Sequence, residues 1–230
     1  MNRMISRRLA LSLLVAVAAC AGDDVPAGQA ARAKPEGGEG AGRPVVMFLG
    51  TSLTAGLGVD LGQAYPALIQ RRIDDAGLEY MVQNAGVSGE TSAGARRRID
   101  WLMTQQPPAV LVIETGANDG LRGLDPDAMR QNLEAIVDRA QQQVPPPRIV
   151  IVGMEAPPNM GRSYTNRFRE VFRSVAEERG VAYVPFLLDD VAGIDSLNQA
   201  DGIHPTPAGQ RIMAETVWRV LEPLLREPGD

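Results

Sequence analysis

The sequence predicts an α/β domain in which helices cover both faces of a five-stranded parallel sheet. Short, continuous apolar runs rich in β-branched residues recur along the chain, and between them lie segments whose apolar residues repeat at helical spacing. Strands buried on both faces read as unbroken apolar runs, and parallel neighbours need a crossover, which a helix supplies in a right-handed sense. No internal repeat interrupts the alternation.

Val45 to Leu49 is the first strand, and Tyr65, Leu68, Ile69 and Ile73 mark the first long helix, stopped at Gly77. Tyr80 to Val82 reads as a short second strand. A helix starting near Ser92 buries Ile99, Leu102 and Met103, and Val110 to Ile113 forms the third strand, ahead of a TGANDG loop. Met129, Leu133, Ile136 and Val137 share one face of the next helix. Pro145-Pro146-Pro147 breaks the chain before the fourth strand, Ile149 to Val152. Tyr164, Phe168, Val171, Phe172 and Val175 define a helix closed by Gly180, and Val181 to Val184 is the fifth strand. In the last helix Thr206 suits the N-cap, Pro207 the first helical position, and Ile212, Met213, Val217, Val220 and Leu221 the buried face.

Ahead of this domain, residues 1–8 are basic and residues 9–19 form an apolar run too short to span a bilayer, the pattern of a signal peptide over residues 1–19. The run ends in Val17-Ala18-Ala19-Cys20, which resembles a bacterial lipobox and implies lipidation of Cys20. Ordinary cleavage within Ala19-Cys20-Ala21, with the cysteine incidental, is the alternative. Residues 20–43 are rich in Gly, Ala and Pro without apolar periodicity and read as a flexible tether of roughly 25 Å average reach. The chain is therefore expected to be an exported lipoprotein facing the periplasm. Ala21 rather than Asp after the cysteine leans toward the outer membrane over the inner. The domain itself spans residues 44–230.

Composition removes several function classes. The chain of 230 residues holds one histidine, His204, and one cysteine, Cys20, so neither a zinc site built on His and Cys nor thiol catalysis inside the domain has its parts. Carboxylates leave a hard-cation site open, but no metal or other cofactor is implied. A net charge of −5 gives no electrostatic footprint for nucleic acid, and the one basic cluster, Arg96-Arg97-Arg98, reads as a solvated helix face. Neither the dinucleotide fingerprint nor the phosphate loop is present.

In parallel α/β sheets ligands gather at the carboxyl ends of the strands. Four segments fall there. Gly50-Thr51-Ser52-Leu53-Thr54-Ala55-Gly56 places a serine hydroxyl on a strand-to-helix turn, where backbone amides can hold an oxyanion. Asn84 to Ser92 follows the second strand with glycines that let an N–H approach a substrate, and Gly116 to Gly120 offers the Asn118 side-chain amide. Asp201-Gly202-Ile203-His204-Pro205 puts a carboxylate three residues before the histidine, able to accept from Nδ1–H and leave Nε2 to take a serine proton. Each segment alone reads equally well as a turn or a cap. Together they supply the different parts of a serine hydrolase.

These segments also resemble one family. GTSLTAG, NAGVSGETSAG, GANDGLRG, PPNMG and DGIHP, in this order and spacing, are similar to the SGNH or GDSL-like hydrolases, in particular their arylesterase, thioesterase and lysophospholipase branch. The resemblance implies a three-layer, flavodoxin-like fold and assigns Ser52 as nucleophile, His204 as base and Asp201 as its orienting partner. It implies an oxyanion hole made of the Ser52 and Gly89 N–H groups with the Asn118 side chain. Thr51 stands where the family usually has Asp or Asn, and Ala117 where it often has Gly. The expected function is hydrolysis of small-molecule carboxylic esters or thioesters by a monomer, with lysophospholipid among the possible substrates. The alternatives are an esterase for acetyl groups on cell-envelope carbohydrate and a non-catalytic, membrane-tethered binding domain. Gly120 to Leu124 and Ala156 to Gly161 are expected to line the acyl groove or to serve as plain connectors.

Overall fold

The computed structural model describes residues 42–227. The signal segment, Cys20 and nearly all of the tether lie outside the described residues. Within them the strands are β1 (Val45–Gly50), β2 (Met81–Gly86), β3 (Val110–Ile113), β4 (Arg148–Val152) and β5 (Ala182–Val184), all parallel, in the order β2-β1-β3-β4-β5. This is the flavodoxin-like order that the resemblance implied. β1 and β3, central and covered on both sides, are buried at every position, which is why they read as continuous apolar runs.

The crossover rule then sorts the helices. α1 (Ser52–Ala55) is a single turn that ends β1, and α2 (Tyr65–Asp75) carries the chain from β1 outward to β2. α3 (Ser92–Gln105) returns across β1 to β3, and α4 (Ala117–Leu121), α5 (Pro126–Gln141) and α6 (Arg162–Arg179) continue toward β5. Because these crossovers run the other way along the sheet, right-handedness places them on the opposite face from α2. α3, α5 and α6 accordingly pack side by side, whereas α7 (Pro207–Arg226) pairs with α2. The α7 start is as expected: Pro207 is the first helical residue, and the Thr206 hydroxyl accepts from the Gly209 N–H. Gly77 and Gly180 adopt the left-handed conformation beyond α2 and α6 that makes glycine the favoured residue after a helix.

Three expectations need correction. β2 runs from Met81 to Gly86 rather than Tyr80 to Val82, so Asn84-Ala85-Gly86 belong to the strand. As an edge strand paired only with β1 it is half-buried and tolerates Gln83 and Asn84, which hid its length. The TGANDG segment is not wholly loop, since Ala117 onward forms α4. Arg98 does not belong to a solvated face: its guanidinium lies part-buried against Glu90, Nε to Oε1 at 2.8 Å and Nη2 to Oε2 at 2.7 Å, and also donates to the Ala85 carbonyl at 2.7 Å. Arg96 and Arg97 are exposed as expected.

Candidate active site

The sheet order reverses between β1 and β3, and doubly wound sheets bind ligands at the carboxyl ends of strands beside such a switch point. Ser52 follows β1 there as the first residue of α1. The His204 loop reaches it from the chain segment before α7. His204 Nε2 stands 3.0 Å from Ser52 Oγ, and His204 Nδ1 stands 2.6 Å from Asp201 Oδ2. The second Asp201 oxygen accepts from the backbone N–H groups of Ile203 (2.9 Å) and His204 (3.0 Å), so the carboxylate is fixed from both sides. Gly202 turns the chain between them at φ +68°, a conformation in which a side chain would be strained. The His204 amide, then its imidazole, then the Ile203 amide hold the Asp201 carboxyl well below its ordinary value. It therefore stays anionic and keeps a proton on Nδ1, leaving Nε2 free to accept from Ser52.

A cavity of about 640 Å³ opens over this pair, lined by Ser52, Gly89, Asn118 and His204 among others. The expected site residues thus converge on one space, with Asp201 behind the histidine. Asn118 Nδ2 spends one proton on the Glu90 carbonyl at 2.9 Å, which fixes the amide and leaves its second proton for a ligand. Elsewhere the lining is mostly apolar: Met154, Ala156, Pro157, Phe186 and Leu188 come from the β4 and β5 side, and the exposed side chains Leu57, Leu121 and Ile203 contribute as well. Of the two segments expected at the groove, Leu121 and Ala156 to Pro158 line the cavity.

Cross-links between loops hold the arrangement. Gln199 Nε2 donates to the Leu57 carbonyl at 2.8 Å and to the Pro205 carbonyl at 3.1 Å, tying the histidine loop to the Ser52 loop. Asn84 Nδ2 donates to the Thr54 carbonyl at 2.7 Å. The buried Asp119 carboxylate accepts from the Ser92 N–H (2.8 Å) and hydroxyl (2.6 Å), fastening α4 to the start of α3.

Another participant, like Asp119, was not anticipated. Glu114, immediately after β3, is fully buried beneath the Ser52 turn. Its Oε2 accepts from the Thr51 N–H and the Thr54 hydroxyl, both at 2.8 Å, and the Thr51 hydroxyl lies 3.0 Å from each carboxyl oxygen. Tyr65 donates in turn to Thr54 Oγ1 at 2.7 Å, since the threonine proton is committed to Glu114. Burial pushes the Glu114 carboxyl up to about 7, opposed by the hydrogen bonds from Thr51 and Thr54. Its signal in the sequence was a carboxylate directly after the apolar run Val110 to Ile113.

Comparison with known proteins decides the family. Residues 48–212 match the model of the GDSL-like Lipase/Acylhydrolase family. The chain belongs to that family. Esterase TesA of Pseudomonas aeruginosa is 42% identical over 180 residues, covering 78% of this chain and 89% of the relative. Thioesterase 1/protease 1/lysophospholipase L1 of Escherichia coli K12 is 32% identical over 180 residues, covering 78% and 84%. Among solved structures, the psychrotrophic esterase EstA from Pseudoalteromonas sp., inhibited by monoethylphosphonate, superposes with a TM-score of 0.74 at 32% identity, covering 80% of this chain and 99% of that one. This acylhydrolase is thus a serine enzyme acting on ester bonds, with the three-layer fold of the SGNH hydrolases. A non-catalytic role is set aside by the enzymatic activities named for its relatives at this level of identity.

Proposed function

We propose that Ser52, His204 and Asp201 act as a catalytic triad that hydrolyses esters and thioesters of apolar acyl groups through an acyl-enzyme. The observation that carries this reading is the unbroken relay from Ser52 Oγ through both His204 nitrogens to the Asp201 carboxylate, opening onto a largely apolar cavity. His204 Nε2 takes the hydroxyl proton as Oγ attacks the acyl carbon, and Asp201 stabilises the imidazolium that forms. The Ser52 and Gly89 N–H groups and the free Asn118 amide proton receive the oxyanion. Collapse of the tetrahedral intermediate breaks the bond to the leaving alcohol or thiol, which takes the proton from Nε2. Water, deprotonated by the same nitrogen, then attacks the acyl-enzyme and releases the acid and free Ser52.

Met154, Ala156, Phe186 and Leu188, which follow β4 and β5, suit a hydrocarbon chain better than an acetyl group on a carbohydrate, which favours acyl and aryl esters, lysophospholipid and acyl thioesters. Fluorophosphonate labelling should modify Ser52 alone, and Ser52→Ala should abolish both labelling and turnover of p-nitrophenyl butyrate. Full activity in that variant would overturn the mechanism.

The Val17-Ala18-Ala19-Cys20 motif and the tether that follows support a lipid anchor, with the domain facing the periplasm from the outer membrane. Incorporation of labelled palmitate that is lost in Cys20→Ser is the corresponding test.

A further inference from the structure

A second cleft, of about 450 Å³, adjoins the catalytic cavity and shares Ser88 and Gly89 with it. Val87 to Thr91, Gly94, Arg97, Arg98 and Arg122 line it. Sheet order gives the two clefts their sides. Ser88 and Gly89 follow the edge strand β2, the apolar residues suited to the acyl chain follow β4 and β5, and Ser52 follows β1 between them. A substrate with its acyl chain toward β4 and β5 and its carbonyl at Ser52 therefore points its leaving group toward the second cleft.

The charge there is not balanced. Glu90 is the only carboxylate of the lining, and Arg98 neutralises it through three hydrogen bonds. Arg97 and Arg122 remain. Among the described residues neither has a carboxylate within ion-pair distance, and the hydrogen bond found for Arg122 is Nη2 to the Gly89 carbonyl at 3.0 Å. On a chain of net charge −5, many arginines such as Arg72, Arg130 and Arg173 stand against Asp or Glu, and others without such a partner, such as Arg71, Arg162 and Arg211, do not line this cleft; what sets Arg97 and Arg122 apart is that both face one cleft beside the catalytic cavity. Two unpaired guanidinium groups facing one cleft form a local positive site on an acidic molecule. Guanidinium forks match the oxygens of a phosphate better than a single ammonium does.

We propose that this cleft is a subsite for a phosphate carried by the leaving group of the substrate, with Arg97 and Arg122 as its cationic ligands. The inference rests on the triad reading and deepens it: the enzyme selects acyl esters or thioesters whose alcohol or thiol portion is phosphorylated. A lysoglycerophospholipid and an acyl-coenzyme A both carry that chemistry, at shorter and longer distances from the scissile bond.

Arg97 is the clean position to test, because it touches none of the catalytic groups, whereas Arg122 also holds the Gly89 carbonyl. Steady-state kinetics of the wild-type domain and Arg97→Gln would be measured on 1-lauroyl lysophosphatidic acid, lauroyl-coenzyme A and the uncharged p-nitrophenyl laurate. The expected result is a KM raised about 5- to 20-fold for one or both phosphorylated substrates, with p-nitrophenyl laurate within twofold of wild type. Which of the two responds identifies the source of the phosphate. Glycerol 3-phosphate should inhibit p-nitrophenyl laurate hydrolysis competitively, and more weakly in Arg97→Gln. Equal losses on all three substrates, or no change on any, would overturn the subsite. So would failure of the wild type to turn over either phosphorylated substrate while it hydrolyses the p-nitrophenyl ester. Failure to hydrolyse any of the three would instead refute the triad reading itself.

Discussion

The buried Glu114 makes a prediction whose sign differs from that of most carboxylates. Its carboxyl is raised from 4.5 to about 7 in the folded protein, chiefly by burial. The native state therefore binds more protons than the unfolded chain between those two values, and stability from this group is fully present below 4.5 and lost as pH rises through 7. At 1.36 kcal/mol for each unit of pKa, the difference amounts to roughly 3 kcal/mol, or about 6 to 12 °C in Tm for a domain of this size. Glu114→Gln removes the titration and keeps the contacts, because an amide oxygen can still accept from the Thr51 N–H and the Thr54 hydroxyl while its NH₂ donates to Thr51 Oγ1. Denaturant melts at pH 5 and pH 8.5 test this. Wild type should lose several times more stability across the interval than Glu114→Gln, so the two should differ most at high pH. An equal pH dependence in both proteins would refute the assignment of a proton to Glu114.

Asn118→Ala removes one of the three proposed oxyanion donors and should lower kcat on p-nitrophenyl butyrate by about 100- to 1,000-fold, with KM little changed. Asp201→Asn should reduce kcat/KM on the order of 1,000- to 10,000-fold by favouring the wrong histidine tautomer. Because the Asp201 carboxyl is held below its ordinary value, its contribution to stability is present above pH 3.8 and lost as pH falls through the lowered value, so acid melts of Asp201→Asn should be flatter than those of wild type. In Gly50→Ala the added methyl would lie 2.0 Å from Thr54 Oγ1 and 2.8 Å from Glu114 Oε2, and denaturant melts should show a loss of roughly 3 kcal/mol. Thr51→Asp brings a second carboxylate to within hydrogen-bonding distance of Glu114, and should destabilise the fold more at pH 8.5 than at pH 6.

Much of the fold was legible because the central strands are buried on both faces, so Val45 to Leu49 and Val110 to Ile113 could hold nothing polar. Where burial weakens, so does the signal: β2 pairs on one side only, and Gln83 and Asn84 concealed half its length. Strand order could not be read from periodicity, since pairing is decided between segments far apart in the chain. The site was legible for a related reason. Ser52 and Asn118 open short helices just past strand ends and His204 lies in the loop before the last helix, segments where glycines and a single histidine stand out against an apolar background. Glu114 and Asp119 were missed as parts of the site because their roles depend on partners far away along the chain: Glu114 meets Thr51, 63 positions away, and Asp119 meets Ser92, 27 positions away. Arg98 failed as a solvated residue for the same reason, its partners being Glu90 and the Ala85 carbonyl across a turn.

Those distant partners explain how a site made almost wholly of turns keeps its geometry. Ser52 is held from below, where Thr51 and Thr54 are fastened to Glu114, and from above, where Gln199 joins the Leu57 carbonyl to the histidine loop. Asn118 and Gly89 are likewise coupled, the first through the Glu90 carbonyl and the second through Arg122. Each link joins a loop from one strand to a loop from another, so Gly89, Asn118, Ser52 and His204 are positioned relative to one another and not merely to the sheet. Donors fixed before the substrate arrives need little reorganisation as charge develops on the carbonyl oxygen, which is the condition under which they lower the barrier most. The buried carboxylate under Ser52 is thus part of the support for the proposed nucleophile, and its replacement by a group that cannot accept the Thr51 N–H, as in Glu114→Ala, should lower kcat even where the fold survives.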